Sequence, residues 1–73
     1  MSVVEIIEWR PGCNKVEHTK LIKSSVGLDL AAAKKITDAV LAGHNPTVEL
    51  ETEVAAKKLI FDLDAIGFGA RLI

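Results

Sequence analysis

Aromatic side chains are scarce in this chain of 73 residues, which has two phenylalanines, one tryptophan and no tyrosine. A folded core must therefore be built from Val, Ile, Leu and Ala. Apolar residues make up 49% of the sequence, which is enough for a globular protein. The length allows one domain, residues 1–73, near the small end of chains that fold around a single core.

Cysteine is nearly absent as well, because Cys13 is the only one. A single cysteine excludes an internal disulfide bond and a metal site with several cysteine ligands. The two histidines, His18 and His44, do not stand at the spacing of zinc ligands. We therefore expect no metal and no other cofactor.

Long hydrophobic runs and targeting signals are also missing. No segment approaches the roughly 18 consecutive apolar residues of a membrane-spanning helix. The first residues, Met1 to Glu5, have neither the basic part nor the long apolar part of a signal peptide. An unpaired cysteine is typical of a reducing compartment. The sequence therefore predicts a cytoplasmic protein that does not contact a membrane.

Neither sign of charge is in clear excess, since the formal net charge is −1 at pH 7. Domains that bind nucleic acids carry a broad basic excess, so direct binding to nucleic acid is not expected. The glycines between Gly67 and Gly69 lack the spacing of a phosphate-binding loop.

Groups arranged for catalysis are lacking too, and we predict that the chain is not an enzyme. The alternative is a thiol-dependent enzyme around Cys13, which precedes a predicted helix whose dipole could activate the thiol. Such chemistry needs a base within hydrogen-bond reach of the thiol. The predicted orientation of His18, toward the core, does not supply one.

Hydrophobic periodicity and capping residues predict six elements in the order β-α-α-β-α-β. The predicted N-caps are Asn14, Asp29 and Thr52. Each predicted element has one apolar face, so the economical arrangement is an α+β two-layer sandwich with three helices on one face of a three-stranded sheet. The predicted strands are 3–9, 47–51 and 68–73, and the predicted helices are 15–24, 30–42 and 53–66.

Helical spacing separates buried from exposed positions on the first two helices. The predicted inward stripes are His18, Leu21 and Ile22 on the first helix, and Leu30, Ala33, Ile36 or Thr37, and Val40 on the second. The opposite stripe of the first helix carries Val16, Thr19, Lys20 and Lys23. Such a cationic face suits an acidic partner surface, and the alternative is a face that only contacts solvent.

An apolar patch is predicted on the sheet face away from the helices. Alternation along the first strand places Val4 and Ile6 inward and Ile7 and Trp9 on the opposite face, which Ile73 of the last strand would share. Exposed apolar patches often mark interfaces, so we predict a second partner surface there, with a second copy of the chain as one candidate. The alternative is a register shifted by one residue, with Trp9 at the edge of the core.

The segment from Gly12 to Lys34 resembles the C-terminal domain of the bacterial large-subunit ribosomal stalk protein, the L-seven/L-twelve family. The matching residues are Gly12, Asn14, Lys15 and Val16, then Lys20, then Gly27, Leu28 and Leu30, then Ala33 and Lys34. The order of elements also matches, so the resemblance spans Val4 to Ile73, with pattern alone matching in the flanks. The stalk protein has a dimerisation domain and a hinge ahead of this module. Neither is found in this sequence, so we expect a stand-alone relative of the family.

The resemblance implies a protein–protein interaction module that docks translational GTPases, the ribosome or another cytoplasmic protein through the exposed face of the two central helices. Carried over by position, the contact residues would be Lys15, Val16, Thr19, Lys20, Lys23 and Lys34. The alternative is a peptide or protease adaptor of the same fold, similar to adaptor S of the Clp protease. The acidic loop of that adaptor, with its paired aspartates, is not found after the first strand.

Overall fold

The computed structural model describes residues 1–73, and its element order is the predicted β-α-α-β-α-β. The elements are β1 (Ser2–Trp9), α1 (Lys15–Ile22), α2 (Leu30–Leu41), β2 (Thr47–Leu50), α3 (Glu53–Ala65) and β3 (Phe68–Leu72). A π-helical segment, Lys23–Gly27, follows α1 directly. The sequence predicts that the first helix runs to residue 24, whereas its α-helical part ends at Ile22 and the helical chain ends at Gly27, where φ is +80°.

All three predicted N-caps are confirmed. The side-chain oxygens of Asn14, Asp29 and Thr52 accept hydrogen bonds from the backbone N–H three residues later, at 3.1, 2.8 and 3.1 Å. These bonds satisfy N–H groups that have no partner within the helix. They fix where each helix begins, and therefore which residues face the sheet.

The sheet has the strand order β2-β1-β3, and both pairs of strands are antiparallel. Alternate strand residues point toward the helices and are buried: Val4, Ile6, Val48, Leu50 and Phe68. The helices cover them with Ile22, Ala33, Val40, Ala56, Leu59 and Leu63. The predicted fold class, a two-layer α+β sandwich with an aliphatic core, is therefore confirmed.

The predicted placement of Trp9 on the same sheet face as Ile7 is wrong. The register of β1 on β3 shifts between Ile6 and Glu8, which is a β-bulge, and Trp9 lies opposite Phe68. Residues directly opposite in an antiparallel pair share a face, and Phe68 is fully buried on the helix side. Trp9 therefore lies at the edge of the core, with 46% of its surface exposed.

Leu30 is also not where helical spacing predicts it. It is the first residue of α2 and is 60% exposed, whereas Ala33, Thr37 and Val40 are buried. The buried stripe of α2 starts one turn later, where the helix reaches α1 and the sheet. Leu30 instead lines the groove between α1 and α2 that is described below.

The longest helix, α3, has 13 residues. No helix of the chain combines the length and the apolar character that crossing a bilayer requires. No three side chains among the histidines, Cys13, aspartates and glutamates come together closely enough to hold a metal ion.

Candidate functional site

An open groove of about 350 Å³ lies between α1 and α2 on the surface of the helical layer. The cap bonds of Asn14 and Asp29 set the starts of the two helices, and so determine which side chains meet across this groove. The lining residues are Lys15, Val16, Thr19 and Lys20 of α1, and Leu30, Lys34, Thr37, Asp38 and Leu41 of α2.

Five of the six residues predicted as a partner face line this groove: Lys15, Val16, Thr19, Lys20 and Lys34. The sixth, Lys23, is exposed but lies in the π-helical segment and is not part of the lining. Two helices that are separate in sequence thus place three lysines around one depression. Lys23 is suited to a control substitution in binding experiments, because it is an exposed lysine on the same helical layer but outside the groove.

The floor and walls of the groove are partly apolar. Val16 is 64% exposed and Leu30 is 60% exposed, while Leu41 is half-buried. A partner that covered these side chains would gain about 25 cal/mol of binding free energy for each Å² of apolar surface removed from water. The groove therefore offers apolar contact area inside a ring of charges.

The lysine amines at the rim are largely free of partners within the chain. No carboxylate lies within 4.0 Å of the amines of Lys15 and Lys34. Lys20 lies 3.9 Å from Glu17, and both side chains are more than half exposed, so this pair contributes little. Asp38 is the only carboxylate in the lining. The groove is therefore locally cationic on a chain whose net charge is −1.

The hydroxyl groups of Thr19 and Thr37 meet at the bottom of the groove. Thr37 Oγ1 lies 2.8 Å from Thr19 Oγ1, 2.6 Å from the Nδ1 atom of His18 and 3.3 Å from the carbonyl oxygen of Ala33. Thr19 Oγ1 also lies 3.2 Å from the carbonyl oxygen of Lys15, to which it donates. These contacts tie α1 to α2 directly beneath the groove.

His18 points into the core, as predicted, and is fully buried. Its ring lies against that of Phe68 with centroids 4.1 Å apart, and its Nε2 atom has no hydrogen-bond partner. The Nδ1–H tautomer gives every donor an acceptor, because Nδ1–H then donates to Thr37 Oγ1. The single proton of the Thr37 hydroxyl can be donated to Thr19 Oγ1 at 2.8 Å, with the carbonyl oxygen of Ala33 as a longer alternative at 3.3 Å, while the Thr19 hydroxyl donates to Lys15. Burial lowers the pKa of His18 from 6.5 to about 4, so the ring is neutral at pH 7.

The residues that sequence reasoning missed are all on α2: Leu30, Thr37, Asp38 and Leu41. Helical spacing places Thr37 in the core as an alternative to Ile36, and Thr37 is both buried and part of the lining. The spacing of Leu30, Lys34 and Leu41 is i, i+4 and i+11, which is one helical stripe. That stripe is present in the sequence, but only the folded chain shows that it faces α1 and forms the second wall of the groove.

The predicted second surface, Ile7, Trp9 and Ile73, does not form one continuous patch. All three are exposed, at 41%, 46% and 68%, but the bulge places Trp9 on the helix side of the sheet. Between Ile7 and Ile73, on the open face, Arg71 forms a 2.7 Å ion pair with Glu5. The apolar area there is therefore divided by charge.

Cys13 and His18 do not form the nucleophile–base pair that a thiol-dependent enzyme would use. Cys13 is half-buried and packs against the core, and no hydrogen bond joins it to His18. The Nδ1 atom of His18 is already bonded to Thr37.

Comparison with models of known protein families found no match, and comparison with curated proteins found no significant similarity. Neither comparison assigns a family or a function to this chain.

Proposed function

We propose that this chain is a non-catalytic, cytoplasmic protein-interaction module that docks an acidic protein surface in the groove between α1 and α2. One observation carries the proposal: three rim lysines and three apolar side chains from two helices converge on one open groove. Charges of one sign at a rim raise the association rate and select a partner of opposite sign. Desolvated apolar contacts in the centre supply most of the affinity in such interfaces.

Translational GTPases are the partner class we propose, and the basis is the resemblance to the ribosomal stalk domain. Lys15, Val16, Lys20 and Lys34 occupy positions that match that family's motif. Thr19 stands where the family usually has isoleucine, and Ala31 where it usually has lysine. These differences remove apolar area and charge, so we expect weaker binding than a typical member of the family shows.

Reversing two rim charges is expected to abolish most of this binding. The variant Lys20→Glu with Lys34→Glu should lose at least about tenfold in affinity for a purified elongation or initiation factor GTPase, because attraction to an acidic surface becomes repulsion. The affinity of the unaltered chain should also fall as salt is raised from low to physiological ionic strength. Isothermal titration calorimetry measures both effects.

Lys23→Glu with Lys35→Glu is the matched control, since it makes the same change in net charge at two exposed lysines outside the groove. It should change the affinity far less than Lys20→Glu with Lys34→Glu does. Equal losses for the two variants would indicate a nonspecific charge effect. Unchanged binding by Lys20→Glu with Lys34→Glu would contradict docking in the groove.

A further inference from the structure

We propose that the free edge of β2 is a second binding site, which takes an extended peptide segment of alternating basic and apolar residues as an added strand. β2 is one of the two edges of the sheet. The site is distinct from the lysine groove, shares no residue with it, and selects the opposite charge.

The ladder between β1 and β2 determines which backbone groups are free. The N–H of Ile6 donates to the carbonyl oxygen of Pro46 at 3.0 Å, and the register pairs Val4 with Val48. Alternate residues bond to the partner in an antiparallel pair, so Pro46, Val48 and Leu50 face β1. The N–H and C=O groups of Thr47 and Glu49 therefore face away from the sheet.

Nothing in the chain covers these groups. Thr47 and Glu49 are exposed, and neither takes part in any backbone hydrogen bond of the turns, loops and caps. The opposite edge differs at its start, where Phe68 of β3 is fully buried, although Ala70 and Leu72 farther along β3 are half-buried. A row of free backbone donors and acceptors on an exposed edge is what strand addition requires.

A hollow of about 310 Å³ lies beside this edge on the helix side of the sheet. Its walls combine the apolar side chains of Val26, Leu50 and Ala55 with the hydroxyl groups of Ser24, Ser25 and Thr52. Side chains of an added strand alternate between the two faces of the sheet. Every second residue of the segment would therefore point into this hollow, where a small apolar side chain fits.

The charge of the edge defines the other half of the segment. Glu49 and Glu51 have no cationic side chain within 4.0 Å and border the hollow. The residue directly opposite Glu49 would lie on the same open face of the sheet, where opposite charges attract. This position takes lysine or arginine. A second copy of the chain fits poorly, because two β2 edges would bring their carboxylates together.

The probe is a short peptide of alternating valine and arginine with blocked ends, titrated into the ¹⁵N-labelled chain. We expect saturable amide shifts at residues 47–51 and in the π-helical segment, and weaker binding at higher salt. The same peptide carrying N-methyl groups on the amides that face β2 should bind at least about tenfold more weakly, because it cannot complete the ladder. Equal affinity for the N-methylated peptide, or shifts confined to other regions, would overturn the proposal.

Two substitutions test the edge from the side of the protein. Glu49→Pro removes the outward N–H without touching a bond to β1, a position where proline is tolerated, and should abolish the shifts. Should that variant lose its amide dispersion, Glu49→Gln keeps the backbone and should reduce affinity by removing the charge. Lys20→Glu, in the separate groove, should leave peptide binding intact. Unchanged binding by Glu49→Gln together with equal binding of a valine–glutamate peptide would contradict the proposed selectivity.

Discussion

Replacing Gly67 by alanine is expected to lower the free energy of unfolding by about 3 kcal/mol. Gly67 has a φ of +96°, which costs an L-residue about 1–2 kcal/mol. A Cβ atom there would also lie 2.7 Å from the Cα atom of Cys13, and relieving such overpacking typically costs another 1–3 kcal/mol or so. Urea denaturation followed by circular dichroism measures the loss, which is a large fraction of the stability of a chain this small.

Gly43→Ala separates the two causes of this loss. Gly43 has a similar φ of +89°, but an added Cβ would meet nothing within 4 Å. This variant should therefore lose only about 1 kcal/mol, the part that comes from the backbone conformation. Equal losses at Gly43 and Gly67 would mean that the close approach of the α3–β3 turn to Cys13 does not constrain the fold.

The second large effect is acid destabilisation through His18. Because its pKa is about 4 in the folded chain and 6.5 for a histidine exposed to water, the unfolded chain binds the proton more tightly. The contribution of neutral His18 to the free energy of unfolding is therefore complete above pH 6.5 and is lost as the pH falls toward 4. Its size is about 3 kcal/mol. The protonated ring would also carry a buried Nε2–H without an acceptor.

Urea denaturation at several pH values between 7 and 4 measures this loss. His18→Leu should remove most of the pH dependence above pH 5, where carboxylates still contribute little. A pH dependence that survives His18→Leu would show that another group is responsible.

Local signals were sufficient to predict the element order and the helix starts. Asn14, Asp29 and Thr52 are capping residues that act on the backbone three positions later, so their effect can be read from neighbouring residues. Val48 and Leu50 alternate with polar residues, and this period identifies the buried face of β2. Both patterns depend on contacts within a few residues.

Trp9 and Leu30 were misplaced because their environments depend on contacts distant in sequence. The bulge that turns Trp9 toward the helix side appears only when β1 is aligned with β3, which is about sixty residues away in the chain. Leu30 has the spacing of a core residue, and whether α1 covers it depends on how the two helices meet.

The candidate site was predicted in part for the same reason. The stripe of Val16, Thr19 and Lys20 on α1 follows from helical spacing alone. The second wall requires knowing which face of α2 meets α1, and the hydroxyl contact between Thr19 and Thr37 establishes this only in the folded chain. Sequence reasoning therefore identifies the cations and Val16, but not Leu30 and Leu41, which supply the apolar part of the second wall.

Amide shift mapping of the ¹⁵N-labelled chain with a purified translational GTPase tests the docking groove most directly. Perturbed amides should cluster on Val16, Thr19, Leu30, Lys34 and Leu41, with the open face of the sheet unaffected. Shifts centred on the sheet face or on β2, with the groove unchanged, would contradict docking between α1 and α2.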